Sequence, residues 1–383
     1  MNSFTNDFYL KKGIIFLNHG SFGATPKPVL QTSQFYQIEM EKQPVEFLGR
    51  RAGSLLENSR NILANYLKTS PQNIVYITNT TIGVNIIARS LELGAGDEVL
   101  ATNQEYGALD RTWKFLSQKR GFQYINHPLK VPVKASGEVI ECLASGITKN
   151  TRVLFISHIS SPNAMIFPLK EMIQIAKENQ IITVIDGAHA PGQLELDLDA
   201  LGADFYVGNM HKWLCAPKGS AFLYASPSSA HRIEPLVVSW GWQSENPSGN
   251  QLVDFLEWQG TRDISPFLSV PSAIEYQEQH RWKEVRTRCH HLASLAYQRI
   301  TELTTIPPLY PDSLDWFSQM VSLPLPDSVN TDELKDQLYD RYQIEIPIIS
   351  WNNRKFIRIS IQCYNDESDI NALMNALTHL IPF

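Results

Sequence analysis

A chain of 383 residues is longer than one simple core supports and predicts two domains sharing an interface. Apolar residues make up 43% of it and charged ones 19%, a balance that excludes a disordered chain. The formal charge of −6 offers no basis for nucleic acid binding, and no apolar run approaches the roughly 18 residues that span a bilayer.

The amino terminus lacks a basic start followed by an apolar run. Cys142, Cys215, Cys289 and Cys363 lie far apart and form no metal-type or redox pair. Both features fit a soluble protein of a reducing compartment, with the cytoplasm expected. In chain order, β-rich runs fall at residues 73–78, 98–102, 123–126, 152–158, 181–186, 204–208 and 220–224. Amphipathic helical stretches at 81–91, 108–120 and 169–179 separate several of them. The alternation predicts an α/β fold with a mostly parallel sheet covered on both faces and ligands at the strands' carboxyl ends. After residue 225, Pro227, Pro235, Pro247 and Gly249 punctuate an irregular segment that carries Trp240 and Trp242. A long helix is predicted over 272–303, and the chain then reads strand, helix, strand, helix, the last two at 356–362 and 369–379. The division expected is a large domain over 16–265 and a smaller C-terminal α/β domain over 266–383, with residues 1–15 packing against the latter.

The segment Ile181-Ile-Thr-Val-Ile-Asp186-Gly-Ala-His189 is an apolar strand ending in a carboxylate. The next strand leads into Asn209-Met-His-Lys212-Trp213, so a carboxylate and an amine sit at the ends of successive strands. Pyridoxal phosphate chemistry needs such a pair. The lysine holds the aldehyde as an imine and then moves protons, while the carboxylate keeps the pyridine nitrogen protonated so that the ring accepts electrons. Either residue alone is commonplace; the order and context carry the reading. Asn79-Thr80-Thr81 follows a strand and opens a helix, which suits either an anion or an ordinary helix cap.

These segments resemble class V aminotransferases of fold type I, most closely the isopenicillin N epimerase-like branch. The resemblance covers nearly the whole chain. It includes Phe16-Leu-Asn-His-Gly-Ser-Phe-Gly23, Glu105-Tyr-Gly-Ala108, His158-Ile-Ser-Ser161, Ala216-Pro-Lys-Gly219, Gly260-Thr-Arg-Asp263 and Arg358-Ile-Ser-Ile-Gln-Cys-Tyr-Asn365. It implies a large domain with a mixed, mostly parallel seven-stranded sheet, pyridoxal 5′-phosphate as cofactor, an amino-acid substrate and a homodimer with sites at the subunit interface. It makes Lys212 the Schiff-base lysine, Asp186 the partner of the pyridine nitrogen and His189 the partner of the phenolic oxygen. Tyr106 would stack on the ring, where relatives often use histidine. Thr80, Thr81, Asn209 and His211 would hold the phosphate, joined by Thr261 of the other subunit. Arg358 would take the substrate carboxylate, with Ser161 lining the substrate side.

The nominal activity of the branch is epimerisation, with Lys212 as one base and Tyr106 or His158 conceivable on the opposite face. A carbon–sulfur lyase or an aminotransferase is the alternative, and a non-catalytic cofactor-binding protein a further one. Residues 343–355, before Arg358, contain no cysteine, which disfavours a persulfide mechanism. Arg50 and Arg51 could meet a second acidic group, although paired arginines more often face water. Adjacent side chains on a helix diverge, so Cys289-His290-His291 is a poor metal chelate.

Overall fold

The computed structural model describes residues 3–381. The strands, in chain order, are β1 (Ile15–Phe16), β2 (Ile74–Ile77), β3 (Glu98–Thr102), β4 (Gln123–His127), β5 (Thr151–Ser157), β6 (Ile182–Asp186), β7 (Phe205–Asn209), β8 (Ala221–Ala225), β9 (Met320–Leu325), β10 (Ile344–Glu345), β11 (Ile348–Trp351) and β12 (Arg354–Ser360). The main sheet runs β2-β8-β7-β6-β5-β3-β4, and only β8 is antiparallel to its neighbours. All seven expected strands are present, with ends displaced by a residue or so, and they form the mostly parallel mixed sheet. Successive side chains enter different cores. Val99, Phe155, Val184 and Val207 pack on one face, and Leu100, Leu154, Ile185 and Tyr206 on the other. Each such burial contributes roughly 1.5–3 kcal/mol, which is why these strands read as continuous apolar runs.

The helix expected over 272–303 is two helices, Val270–Gln279 and Trp282–Thr304. Arg281 adopts φ 49°, a left-handed turn that ends the first helix, and the His280 ring bonds the Tyr276 carbonyl at 2.7 Å. Farther along, β11, β12 and β9 form a three-stranded antiparallel sheet packed against the helices Trp282–Thr304 and Thr331–Tyr342, on which the helix Glu367–Leu380 rests. The β11–β12 connection is Asn352-Asn353, both left-handed (φ 49° and 58°), as a two-residue hairpin turn requires. The pair β1–β10 joins the N-terminal segment to this sheet, and the Ser360 amide donates to the Leu17 carbonyl at 2.9 Å. Through these contacts residues 15–23 run between the small sheet and the loop that carries Lys212.

Candidate active site

Parallel strands send their carboxyl ends to one edge, and the candidate residues gather there. Asp186 closes β6 and pairs in register with Ser157, the last residue of β5. Asn209 closes β7, with Lys212 three residues on, and Thr80 opens the helix Thr80–Ser90 just after β2. Asp186 is buried and accepts the Ala188 amide at 2.9 Å. Gly187 is required behind it, because a Cβ there would overlap the Tyr206 ring.

Lys212 Nζ lies 3.1 Å from His189 Nε2, and the Trp213 indole donates to His189 Nδ1 at 3.2 Å. An indole only donates, so Nδ1 is the bare nitrogen and Nε2 carries the proton. Nε2–H therefore faces an amine that can accept only when neutral. Burial lowers the Lys212 pKa to about 7, aided by Arg358 and opposed by Asp186. Burial raises Asp186 to about 6, against the pull of the Ala188 amide and Lys212. For His189, burial and then the Lys212, Arg358 and His211 charges press the pKa well below the usual value, consistent with a neutral ring.

At the other end of the crevice, Asn209 Oδ1 accepts the Thr80 amide at 3.0 Å, and Asn79 caps the helix through the Ile82 amide at 2.9 Å. The Thr80 hydroxyl is buried without a partner, beside the positive end of this helix. Thr81 follows, half-buried. The His211 Nδ1–H donates to the Ser220 carbonyl at 3.0 Å, and burial lowers the pKa of the ring to about 4. An orphaned hydroxyl and a helix start among neutral donors fit the phosphate of pyridoxal phosphate.

Arg358, on β12, is 6% exposed, yet among the described residues no carboxylate lies within ion-pair distance of it. Its Nη1 donates to the Ser161 carbonyl at 2.6 Å and its Nη2 to the Ser21 hydroxyl at 3.2 Å. Its Nε is buried and unpaired. Ser161 thus meets Arg358 as well as the crevice.

Tyr106 stands at the start of the helix Gly107–Arg120, 45% exposed. The structure does not bring Thr261 to this group within one chain. It sits on an exposed loop whose base is fixed by Arg262 on the Glu257 carbonyl at 2.8 Å and by the buried Arg60–Glu257 ion pair. His158 is engaged by the Tyr206 hydroxyl at 2.9 Å, and burial lowers its pKa to about 4. Arg50 and Arg51 are exposed. Within the Cys289-His290-His291 run the side chains diverge: Cys289 is buried, His290 bonds the Ser318 carbonyl at 3.1 Å and His291 is exposed.

Three contributors lay outside the sequence reading. Glu105 is 5% exposed and accepts from Thr102 Oγ1 at 2.6 Å, Ser157 Oγ at 2.6 Å and the Ser157 amide at 2.8 Å. Burial lifts it to about 7 against these donors, and Asp186 adds to the rise. His19 bonds the Lys212 carbonyl through Nε2 at 3.0 Å and the Tyr364 hydroxyl through Nδ1 at 2.9 Å. Two positions away, Ser21 holds Arg358. A Cβ on Gly23 would overlap the His211 carbonyl, which explains the glycine at that close approach.

The Aminotransferase class-V family matches residues 15–373, and the chain belongs to that family. It is 34% identical over 376 residues to an isopenicillin N epimerase of Amycolatopsis lactamdurans, covering 95% of this chain and 94% of that protein. A probable chloroplastic L-cysteine desulfhydrase of Arabidopsis thaliana is 27% identical, covering 95% of this chain and 82% of that one. Among solved structures, the cystine C-S lyase C-DES in complex with cysteine persulfide matches with a TM-score of 0.86 at 20% identity, covering 97% of this chain and 99% of that one. The architecture is that of fold type I.

Proposed function

We propose that this chain is a pyridoxal 5′-phosphate enzyme that removes the α-proton of an amino acid, with epimerisation at that carbon as the outcome. The observation that carries the reading is Arg358, a buried guanidinium without a carboxylate partner, on the same crevice edge as a lysine held toward its neutral form. Bound there, the cofactor supplies an electron sink for the pair left at the α-carbon.

Lys212 would hold the cofactor and accept the α-proton at Nζ, for which a pKa of about 7 suits a general base near neutrality. The half-exposed Tyr106 hydroxyl would return a proton on the opposite face and be reprotonated from solvent. Asp186 holds the proton of the pyridine nitrogen, and His189 donates Nε2–H to the phenolic oxygen. Thr80, Thr81, Asn209 and His211 hold the phosphate, together with Thr261 of a second subunit. Tyr106 covers the ring. Ser161 and Ser21 fix the Arg358 plane, and the guanidinium, with no carboxylate partner among the described residues, would take the substrate carboxylate. Dimerisation is supported by the exposed apolar run with Val238, Trp240 and Trp242, 65%, 85% and 50% exposed.

The name of the 34% identical relative favours epimerisation. The second reading is carbon–sulfur elimination, favoured by the names of the desulfhydrase relatives. Residues 343–355 span β10, β11, the Asn352-Asn353 turn and the start of β12 and carry no cysteine, which argues against a persulfide route. The test is a screen of amino acids in deuterated water that monitors α-deuterium, enantiomer, thiol and keto acid together. Deuterium with enantiomer supports epimerisation, and thiol release moves the reading to the lyase. No exchange with any amino acid would falsify both.

A further inference from the structure

We infer that the cleft beside Ser161 receives a substrate side chain whose far end is positively charged, with Asp110 as the specificity-determining carboxylate; this rests on the amino-acid reading above. The cleft has a volume of about 440 Å³, and its lining includes Glu105, Tyr106, Asp110, Ser161, Ile349 and Trp351. Ser161 lines this space and its carbonyl holds Arg358, so the cleft adjoins the place where a substrate carboxylate would be anchored.

The walls contain no lysine or arginine. Arg111, the nearest cation in sequence, turns back to the Gly107 carbonyl at 2.8 Å. Glu105 is saturated by Thr102 and Ser157, but Asp110 is not. Its Oδ1 accepts from the Tyr124 hydroxyl at 2.6 Å and from Asn126 Nδ2 at 3.0 Å, which fixes the carboxylate plane. Its Oδ2 meets only Lys114, 3.9 Å away and 56% exposed, and so remains able to accept from an incoming donor. Tyr106 and Trp351 bring aromatic faces, which attract cations. Trp351 is held in place by its indole bond to the Asn103 carbonyl at 3.0 Å and by the tight Asn352-Asn353 turn. An anionic side chain would meet the Asp110 carboxylate and the Glu105 carboxyl within the cleft, with Lys114 and Arg111 only at its border.

The experiment compares ornithine, glutamine, glutamate and alanine as substrates for α-proton exchange in deuterated water with the cofactor-loaded enzyme. Ornithine is expected to exceed glutamine in kcat/KM by about tenfold, the size of a charge-assisted contact, with glutamate lowest. Asp110→Asn keeps an acceptor for Tyr124 and Asn126, and it should lower the ornithine-to-alanine ratio by about tenfold. Because the quantity is a ratio, a partly folded variant does not mimic the effect. Ornithine should also quench tryptophan fluorescence, and Trp351→Phe should remove that signal, which reads binding without turnover. Glutamine or glutamate matching ornithine in the wild type, or an unchanged ratio in Asp110→Asn, overturns the inference while leaving the amino-acid reading intact. Absence of exchange with every amino acid, alanine included, overturns both.

Discussion

The Lys212 corner and the Arg358 corner are both buried and both charged, but they are balanced differently. At the first, Lys212, His189 and Asp186 lie within one another's fields, and each pKa shift is set by burial first and a neighbouring charge or hydrogen bond second. At the second, a guanidinium is held by a carbonyl and a hydroxyl with no opposite charge at ion-pair distance among the described residues. Burial pulls Arg358 down to about 10, against an opposing interaction with Tyr106. A lysine with a carboxylate in its field suits a resident cofactor, whereas a cation with no carboxylate at ion-pair distance suits an anion that comes and goes. The contrast separates what the protein keeps from what it turns over.

Removing the amine should have the largest effect. Lys212→Ala is expected to cut α-proton exchange by roughly 10²–10⁴-fold, the range of a general base, as measured by deuterium incorporation at saturating amino acid. At the other corner, Arg358→Met should raise KM by roughly a hundredfold, from the loss of a buried charge-assisted pair, while leaving cofactor absorbance in place. The same variant should not lower the melting temperature of the ligand-free protein, because it removes a buried charge that has no counter-ion. A large loss of stability would show that Arg358 is structural.

Glu105 sharpens the comparison through pH. Its folded pKa of about 7 lies above the ordinary value of 4.5, so between those two values the folded state binds more protons than the unfolded one. Its contribution to stability is therefore favourable below about pH 4.5 and is lost as pH rises through 7. Glu105→Gln should become more stable relative to wild type on going from pH 5 to pH 8, by an amount on the order of 1–3 kcal/mol in denaturant melts. Parallel curves for the two proteins would contradict this.

The smallest effect is expected for Arg50→Ala and Arg51→Ala. Both residues are exposed, and a change within about twofold in kcat/KM is predicted for a simple amino acid.

Much of this arrangement was legible in the residues themselves. Strands buried on both faces announce themselves as apolar runs, and a carboxylate or lysine at the end of such a run marks the ligand edge. What escaped was set by distant partners. Glu105 sits in a quoted motif, but its donor Ser157 is 52 residues away, and Ser21 is 337 residues from Arg358. The break at Arg281 had no glycine or proline to mark it, since a left-handed arginine is rare. The Asn352-Asn353 pair is itself a hairpin signal, since both residues tolerate the left-handed backbone of a two-residue turn. Local chemistry therefore exposes the Lys212 corner, while the Arg358 corner depends on contacts that only the fold assembles.

The most direct test of the central claim is borohydride reduction of the cofactor-loaded protein followed by peptide mass mapping. The account predicts one pyridoxyl adduct, on Lys212, and its loss with the visible absorbance in Lys212→Ala. An adduct on another lysine, such as the nearby Lys218, or no adduct at all, would contradict it.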